Sequence, residues 1–160
     1  MGPMNPYNRV LAIGVFDLFH IGHLRYLKYA KSQGKYLLAG VTPDLICHEY
    51  KGKWPVITED ERLEIINALN FVDETRLLPT STEVTDASVQ WISDWKIELV
   101  VTGGNWRGSN RWNRLTEGLA GKGVDVIFAP VTVGVSTSRI MSRIIDTKNF
   151  ILAPEKDSDE

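Results

Sequence analysis

Short apolar runs alternate with segments of helical periodicity along almost the whole chain, and this alternation limits the possible folds more than any other feature. Strands are expected at Arg9–Ile13, Tyr36–Val41, Asp73–Leu78, Leu99–Thr102 and Val124–Ala129. Helices are expected at Ile21–Ser32 (closed by Gly34), from Thr58 to about Leu69, at Asp86–Trp95, at 110–121 and at Ser136–Ile145. Parallel strands need a crossover long enough to hold a helix, so this repeat predicts an α/β fold. The expected form is a single doubly wound domain with a parallel sheet of about five strands. At 160 residues the chain can fill one sizeable core but not two full domains. The domain is expected over 9–150, with an N-terminal extension at 1–8 and an acidic mobile tail at 151–160. The lysine-containing stretch 42–58 reads as a polar loop.

Doubly wound sheets bind ligands at the carboxyl ends of their strands. Three motifs fall there: Gly14 closes the first strand, Gly103-Gly104 the fourth, and the Val131–Ser138 segment follows the fifth. The first is the most specific. Gly14-Val15-Phe16-Asp17-Leu18-Phe19-His20-Ile21-Gly22-His23 runs from a strand end into a helix start. Helix N-termini offer unpaired N–H groups and partial positive charge, and two imidazoles add further donors. Gly14 and Gly22 are expected to leave room for a phosphate to approach the backbone. Asp17 reads either as an acid ordering Mg²⁺ or a lysine, or as a turn residue. His20, His23, Cys47 and His48 are potential metal ligands. One cysteine and the lack of HExxH or paired CxxC spacing argue against a metal site. The pattern suits attack on a nucleotide phosphorus.

Composition narrows the classes. A net charge of −2 argues against general nucleic-acid binding driven by phosphate attraction. The short basic-aromatic stretch of Trp106, Arg107, Arg111, Trp112 and Arg114 does not reverse that expectation. No apolar run approaches the roughly 20 residues of a membrane span, so no membrane partner is expected. The single cysteine excludes an internal disulfide framework and fits a reducing cytoplasm. Trp91 and Trp95, four apart on a helix, read as core or interface residues.

The 14–23 string resembles the HxGH nucleotidyltransferases, and within them the cytidylyltransferases, over roughly residues 9 to 145. The resemblance implies a Rossmann-like domain that transfers CMP from CTP to a small phosphorylated or phosphonate alcohol, of polyol, choline or ethanolamine phosphate type, releasing pyrophosphate. It implies that His20 and His23 stabilise charge on the α-phosphate, with no protein nucleophile. Lys51, in an aromatic-Lys-Gly stretch, is the matching catalytic lysine, with Lys53 as a helper toward the acceptor. Arg62 matches a helix arginine that holds phosphates; read alone it is an exposed partner of Glu59 or Asp60. Gly14, Val15, Phe16, Asp17 and Gly22 belong to the nucleotide-binding string. The turn Gly103-Gly104-Asn105 is implied at the base and ribose, with Trp106 and Arg107 toward the acceptor. Ser136, Thr137 and Ser138 match hydroxyls that bind the β- and γ-phosphates; read alone they are a helix cap.

One segment departs from the pattern. Val131-Thr132-Val133-Gly134 stands where cytidylyltransferases commonly carry Arg-Thr-Glu-Gly. ATP therefore remains possible as donor, with a sugar 1-phosphate or FMN as acceptor. A non-catalytic nucleotide-binding module is the more remote reading. Mg²⁺ is implied as the companion of the nucleoside triphosphate, and a homodimer as the assembly.

Overall fold

The computed structural model describes residues 6–146. The expected acidic tail and the last residues of the expected domain lie outside that range. Five strands form one sheet in the order β3-β2-β1-β4-β5, with every pairing parallel. They are β1 (Tyr7–Gly14), β2 (Gly34–Val41), β3 (Glu74–Leu77), β4 (Leu99–Gly103) and β5 (Asp125–Ala129). The helices are α1 (Ile21–Ser32), α2 (Asp44–Lys51), α3 (Glu59–Asn67), α4 (Thr85–Asp94), α5 (Asn110–Ala120) and α6 (Thr137–Asp146). This is the expected α/β, Rossmann-like architecture.

The central strands are apolar on both faces because helices cover both. Side chains alternate across a strand. Val10 and Ala12 of β1 therefore join Leu27, Ala30 and Ile66 in one core. Leu11 points the other way, into a second core with Trp91, Ile92, Trp112, Leu115 and Leu119. Trp91 is thus a core residue, and Trp95 packs against it with ring centroids 4.6 Å apart. Among the described residues no helix is long and apolar enough to cross a membrane.

Three expectations are corrected. Tyr7 and Asn8 are not part of an extension. Tyr7 pairs with Gly34 in the sheet, and Asn8 is held by the Glu98 carboxylate, which accepts its backbone N–H at 2.6 Å. Gly34 does not close α1; Gln33 caps that helix and Gly34 opens β2. The stretch 42–58 is not all loop. It contains α2, which ends at Gly52 in the left-handed conformation (φ 70°), where glycine carries no Cβ penalty. Only Cys47 of α2 is buried, so the helix has almost no apolar face to announce it. Its start is fixed instead by a reciprocal pair: Glu59 accepts the Asp44 N–H at 3.1 Å, and Asp44 accepts the Glu59 N–H at 3.2 Å.

The strand order places the functional end. From β1 the chain winds outward through β2 and β3, then returns to β4 on the other side of β1. The β1–β4 ladder runs only to Ala12–Val101, leaving Gly14 and Gly103 beyond the last paired residues. A crevice opens at such a reversal of winding.

Candidate active site

The crevice is an open cavity of about 720 Å³ at the carboxyl ends of β1 and β4, bounded by the N-termini of α1 and α6 and the end of α2. It gathers His20, His23, Lys51, Lys53, Asp17, Asn105, Trp106 and Ser136–Ser138 with Gly14, Val15, Phe16, Gly22, Gly103 and Gly104. Two expected site residues, Arg62 and Arg107, do not line it.

The two histidines form a capping box at the start of α1. Gly22 donates its backbone N–H to His20 Nδ1 at 3.0 Å, and His20 donates its own to His23 Nδ1 at 3.3 Å. The rings stack with centroids 3.7 Å apart. A nitrogen that accepts must be unprotonated, so each neutral imidazole carries its proton on Nε2. Partial burial pushes the His20 pKa down. His23 is pushed further, to about 4, by burial and by His20 beside it, against a smaller upward pull from Asp17. Both rings are therefore neutral donors near pH 7.

The glycines of the motif act differently from expectation. A Cβ on Gly22 would meet the His20 ring at 2.8 Å, and one on Gly14 would meet the Phe16 ring at 2.8 Å. The space each glycine leaves is filled by the protein's own ring rather than kept for a phosphate. Phe16 is buried, adopts φ 58°, and meets His23 edge-on at 5.5 Å. It is thus a floor for the catalytic-candidate imidazole. A side chain at positive φ costs of order 1–3 kcal/mol, and Leu18 (φ 49°) adds a second instance. The surrounding bonds hold this strained loop. Asp17 accepts the N–H groups of Val56 and Ile57 at 2.8 and 2.9 Å, while Thr137 Oγ1 donates to the Asp17 carbonyl at 3.0 Å. Asp17 is therefore a buried anchor for the 52–58 loop.

Arg62 belongs to the same scaffold. Its side chain is fully buried and donates to the carbonyls of Ile57, Val15 and Thr42 at 2.9, 2.6 and 2.8 Å, and to the Asp44 carboxylate at 2.7 Å. Neither a phosphate contact nor an exposed pair with Glu59 or Asp60 describes it. It ties the ends of β1 and β2 to the starts of α2 and α3. Arg107 is exposed and lies over the Phe128 ring, 5.1 Å from its centroid.

At α6, Ser136 Oγ accepts the Arg139 N–H at 3.1 Å, so it caps the helix and keeps its own hydroxyl proton available. The Thr137 hydroxyl proton is already engaged by Asp17. Lys51, the last residue of α2, keeps solvent access through the open cavity, while the protein around it lowers its pKa by desolvation. Trp106 shares its ring with the Arg111 guanidinium at 4.7 Å.

Tyr26 was not expected at the site. Its hydroxyl is 2.7 Å from the carbonyls of both Ile13 and Val101, bridging β1 and β4 where their ladder stops. Burial pushes its pKa up, so it stays a protonated brace. Its signal in the sequence is modest: it lies three residues after His23, on the same helical face. Trp54 also lines the cavity, its ring stacked on His48 at 4.3 Å. Among the described residues no group of three or more His, Cys, Asp or Glu side chains is placed to hold a metal.

A family model described as cytidylyltransferase-like matches residues 11–143. The FAD synthase of Thermococcus onnurineus (strain NA1) is 34% identical over 144 residues, covering 87% of this chain and 92% of that protein. The glycerol-3-phosphate cytidylyltransferase of Bacillus subtilis (strain 168) is 29% identical over 136 residues, covering 85% of this chain and 96% of that protein. The bifunctional protein HldE of Trichlorobacter lovleyi is 31% identical over 144 residues; these cover 86% of this chain but 27% of HldE, so the chain spans about a quarter of that relative's length.

Proposed function

The chain belongs to the cytidylyltransferase-like family of nucleotidyltransferases, and from that premise we propose that it transfers CMP from CTP to a small phosphorylated alcohol, releasing pyrophosphate. The observation that carries the transfer step is the pair of neutral imidazoles at the α1 N-terminus, each with its Nε2–H left over after capping; the choice of CTP follows the family resemblance. In the reaction an acceptor phosphate oxygen attacks the α-phosphorus. A new P–O bond forms as the bond to the pyrophosphate oxygen breaks, and pyrophosphate leaves with the electron pair. Negative charge grows on the non-bridging α-oxygens, where fixed N–H donors and the positive helix end stabilise it most. His20 and His23 are the donors in this account. The α6 N-terminus, with the Ser136 hydroxyl and the amides of Thr137 and Ser138, holds the β- and γ-phosphates. Lys51 faces the same cavity from α2 and follows charge between acceptor and leaving group.

Mg²⁺ bound with the triphosphate would supply positive charge to the phosphates, and it would be held mainly by the nucleotide, with no protein ligand assigned to it. The protein's part is to position the phosphates and to supply N–H donors.

A second donor reading, ATP, rests on one observation. Val131 and Val133 are exposed beside the cavity, where the resemblance would place an arginine and an acid. The FAD synthase relative supports the same reading. Pyrophosphate release measured with CTP, ATP, GTP and UTP against a panel of phosphorylated acceptors separates them. CTP-dependent release is expected. Release with ATP alone selects the second reading, and tight nucleotide binding without release from any pair selects a binding module.

A further inference from the structure

We propose that the stacked rings of His48 and Trp54 form a clamp that sets the direction of Lys51, which makes Trp54 a positioning residue for the transfer reaction. The inference rests on the nucleotidyl-transfer reading above and adds to it the means by which the lysine is held.

Lys51 stands on a thinly supported part of the fold. It is the last residue of α2, whose one buried side chain is Cys47, and residues 48–54 are all exposed. The last carbonyls of a helix have no partners within it, so a final turn unwinds readily unless something outside holds it. Beyond Lys51 the chain reverses at Gly52 (φ 70°), which donates its N–H to the His48 carbonyl at 3.0 Å. A Cβ on Gly52 would meet nothing within 4 Å, so the space beside this turn is open.

The ring stack crosses this exposed stretch. The His48 and Trp54 centroids lie 4.3 Å apart with the rings 15° from parallel, and Lys51 is three residues from each, at the middle of the segment they close. Residues three and four apart share a helix face, so Cys47 and His48 both flank Lys51 on α2. Cys47 is held by the interior. His48 is exposed and is held by Trp54, itself 57% exposed, an uncommon state for so large an apolar side chain. The backbone just beyond Trp54 is fixed, because the buried Asp17 carboxylate accepts the Val56 and Ile57 N–H groups at 2.8 and 2.9 Å. The Asp17 carbonyl in turn accepts the Thr137 hydroxyl at 3.0 Å. The clamp therefore ties Lys51 to the loop before His20 and to the start of α6, the two elements assigned to the phosphates. Burial lowers the Lys51 pKa, so its ammonium lies among protein atoms, as that of a clamped side chain should. A lysine on a flexible four-carbon stem needs its backbone held, since a misplacement of about 1 Å can cost up to ~10²-fold in rate.

The test is a double-mutant cycle, with turnover measured as pyrophosphate release from the donor–acceptor pair that the wild type uses best in the panel above. Trp54→Ala and His48→Ala are each expected to lower kcat about tenfold, with the KM for the nucleotide little changed. The double variant is expected to lose no more than either single one. Trp54→Phe keeps a ring on His48 and is expected to restore most of the rate. Both positions are exposed, so melting curves should stay near that of the parent. NMR of the same full chain with ¹³C-methylated lysines gives a readout without turnover, the Lys51 signal being assigned from Lys51→Arg. Both alanine variants are expected to raise the Lys51 pKa toward the ordinary lysine value, and Trp54→Phe is expected to leave it lowered. Unchanged kcat in Trp54→Ala, losses that add in the double variant, or a Lys51 pKa that neither alanine variant moves overturns the inference while leaving nucleotidyl transfer intact. Pyrophosphate release by the wild type from no pair overturns the transfer reading itself; the lysine titration then still decides whether the stack holds Lys51.

Discussion

The His20–His23 pair and Arg62 both stand at the carboxyl end of the sheet, and both match residues associated with phosphate in the family resemblance. Their surroundings are opposite. Each imidazole uses one nitrogen to cap α1 and keeps the other N–H unassigned beside a cavity. Arg62 is fully buried and distributes its guanidinium among three carbonyls and a carboxylate. Residue type and charge do not make a ligand site; hydrogen-bonding capacity left over after the fold is satisfied does.

The largest effect that can break this comparison is on stability. Arg62→Leu leaves Asp44 and the carbonyls of Val15, Thr42 and Ile57 without their partner. Breaking a buried pair on one side costs about 3–5 kcal/mol, or a fall in Tm of roughly 6–20 °C at this chain length. Thermal unfolding measures it, and titration of the folded variant with CTP should show little change in affinity. A variant of unchanged Tm that has lost triphosphate affinity would place Arg62 in the binding site and erase the distinction.

The next effect is on turnover. His23→Asn keeps an acceptor near the Nδ1 position for the His20 N–H but removes the Nε2–H that faces the cavity. Losing one donor to a developing oxyanion costs about 10²–10³ in kcat, while the retained cap keeps Tm close to that of the parent. Steady-state kinetics and a melting curve on the same sample decide it. Lost stability with unimpaired kcat would make His23 a capping residue only.

The sheet was legible from the sequence because β1, β2 and β4 are buried on both faces, so their apolar runs are nearly unbroken. Helix α2 was not legible, since it buries only Cys47 and is fixed through its first residue, Asp44, by Glu59 and Arg62 of α3. The positions of His20, His23 and Ser136 around one cavity followed from their places after strand ends, and that of Lys51 from the family resemblance alone. What those groups have left to give did not. The partners of Arg62 come from segments 5, 18, 20 and 47 residues away, and local spacing carries no sign of them. The burial of Trp112 was hidden in the same way, inside a stretch that read as basic and aromatic.

The most direct test of the central claim is ¹⁵N NMR of the histidine and arginine side chains, with and without CTP. His20 and His23 are expected to be neutral at pH 7, both with the proton on Nε2. His23 should titrate near pH 4, and His20 below the ordinary histidine value. A depressed histidine pKa favours the folded state at neutral pH and loses that contribution as the pH falls from about 6.5 toward 4. On adding CTP, the two Nε2–H signals should move while the Arg62 Nε–H signal stays. Imidazolium rings at pH 7, Nδ1–H tautomers, or an Arg62 signal that shifts while the histidines do not, would contradict it.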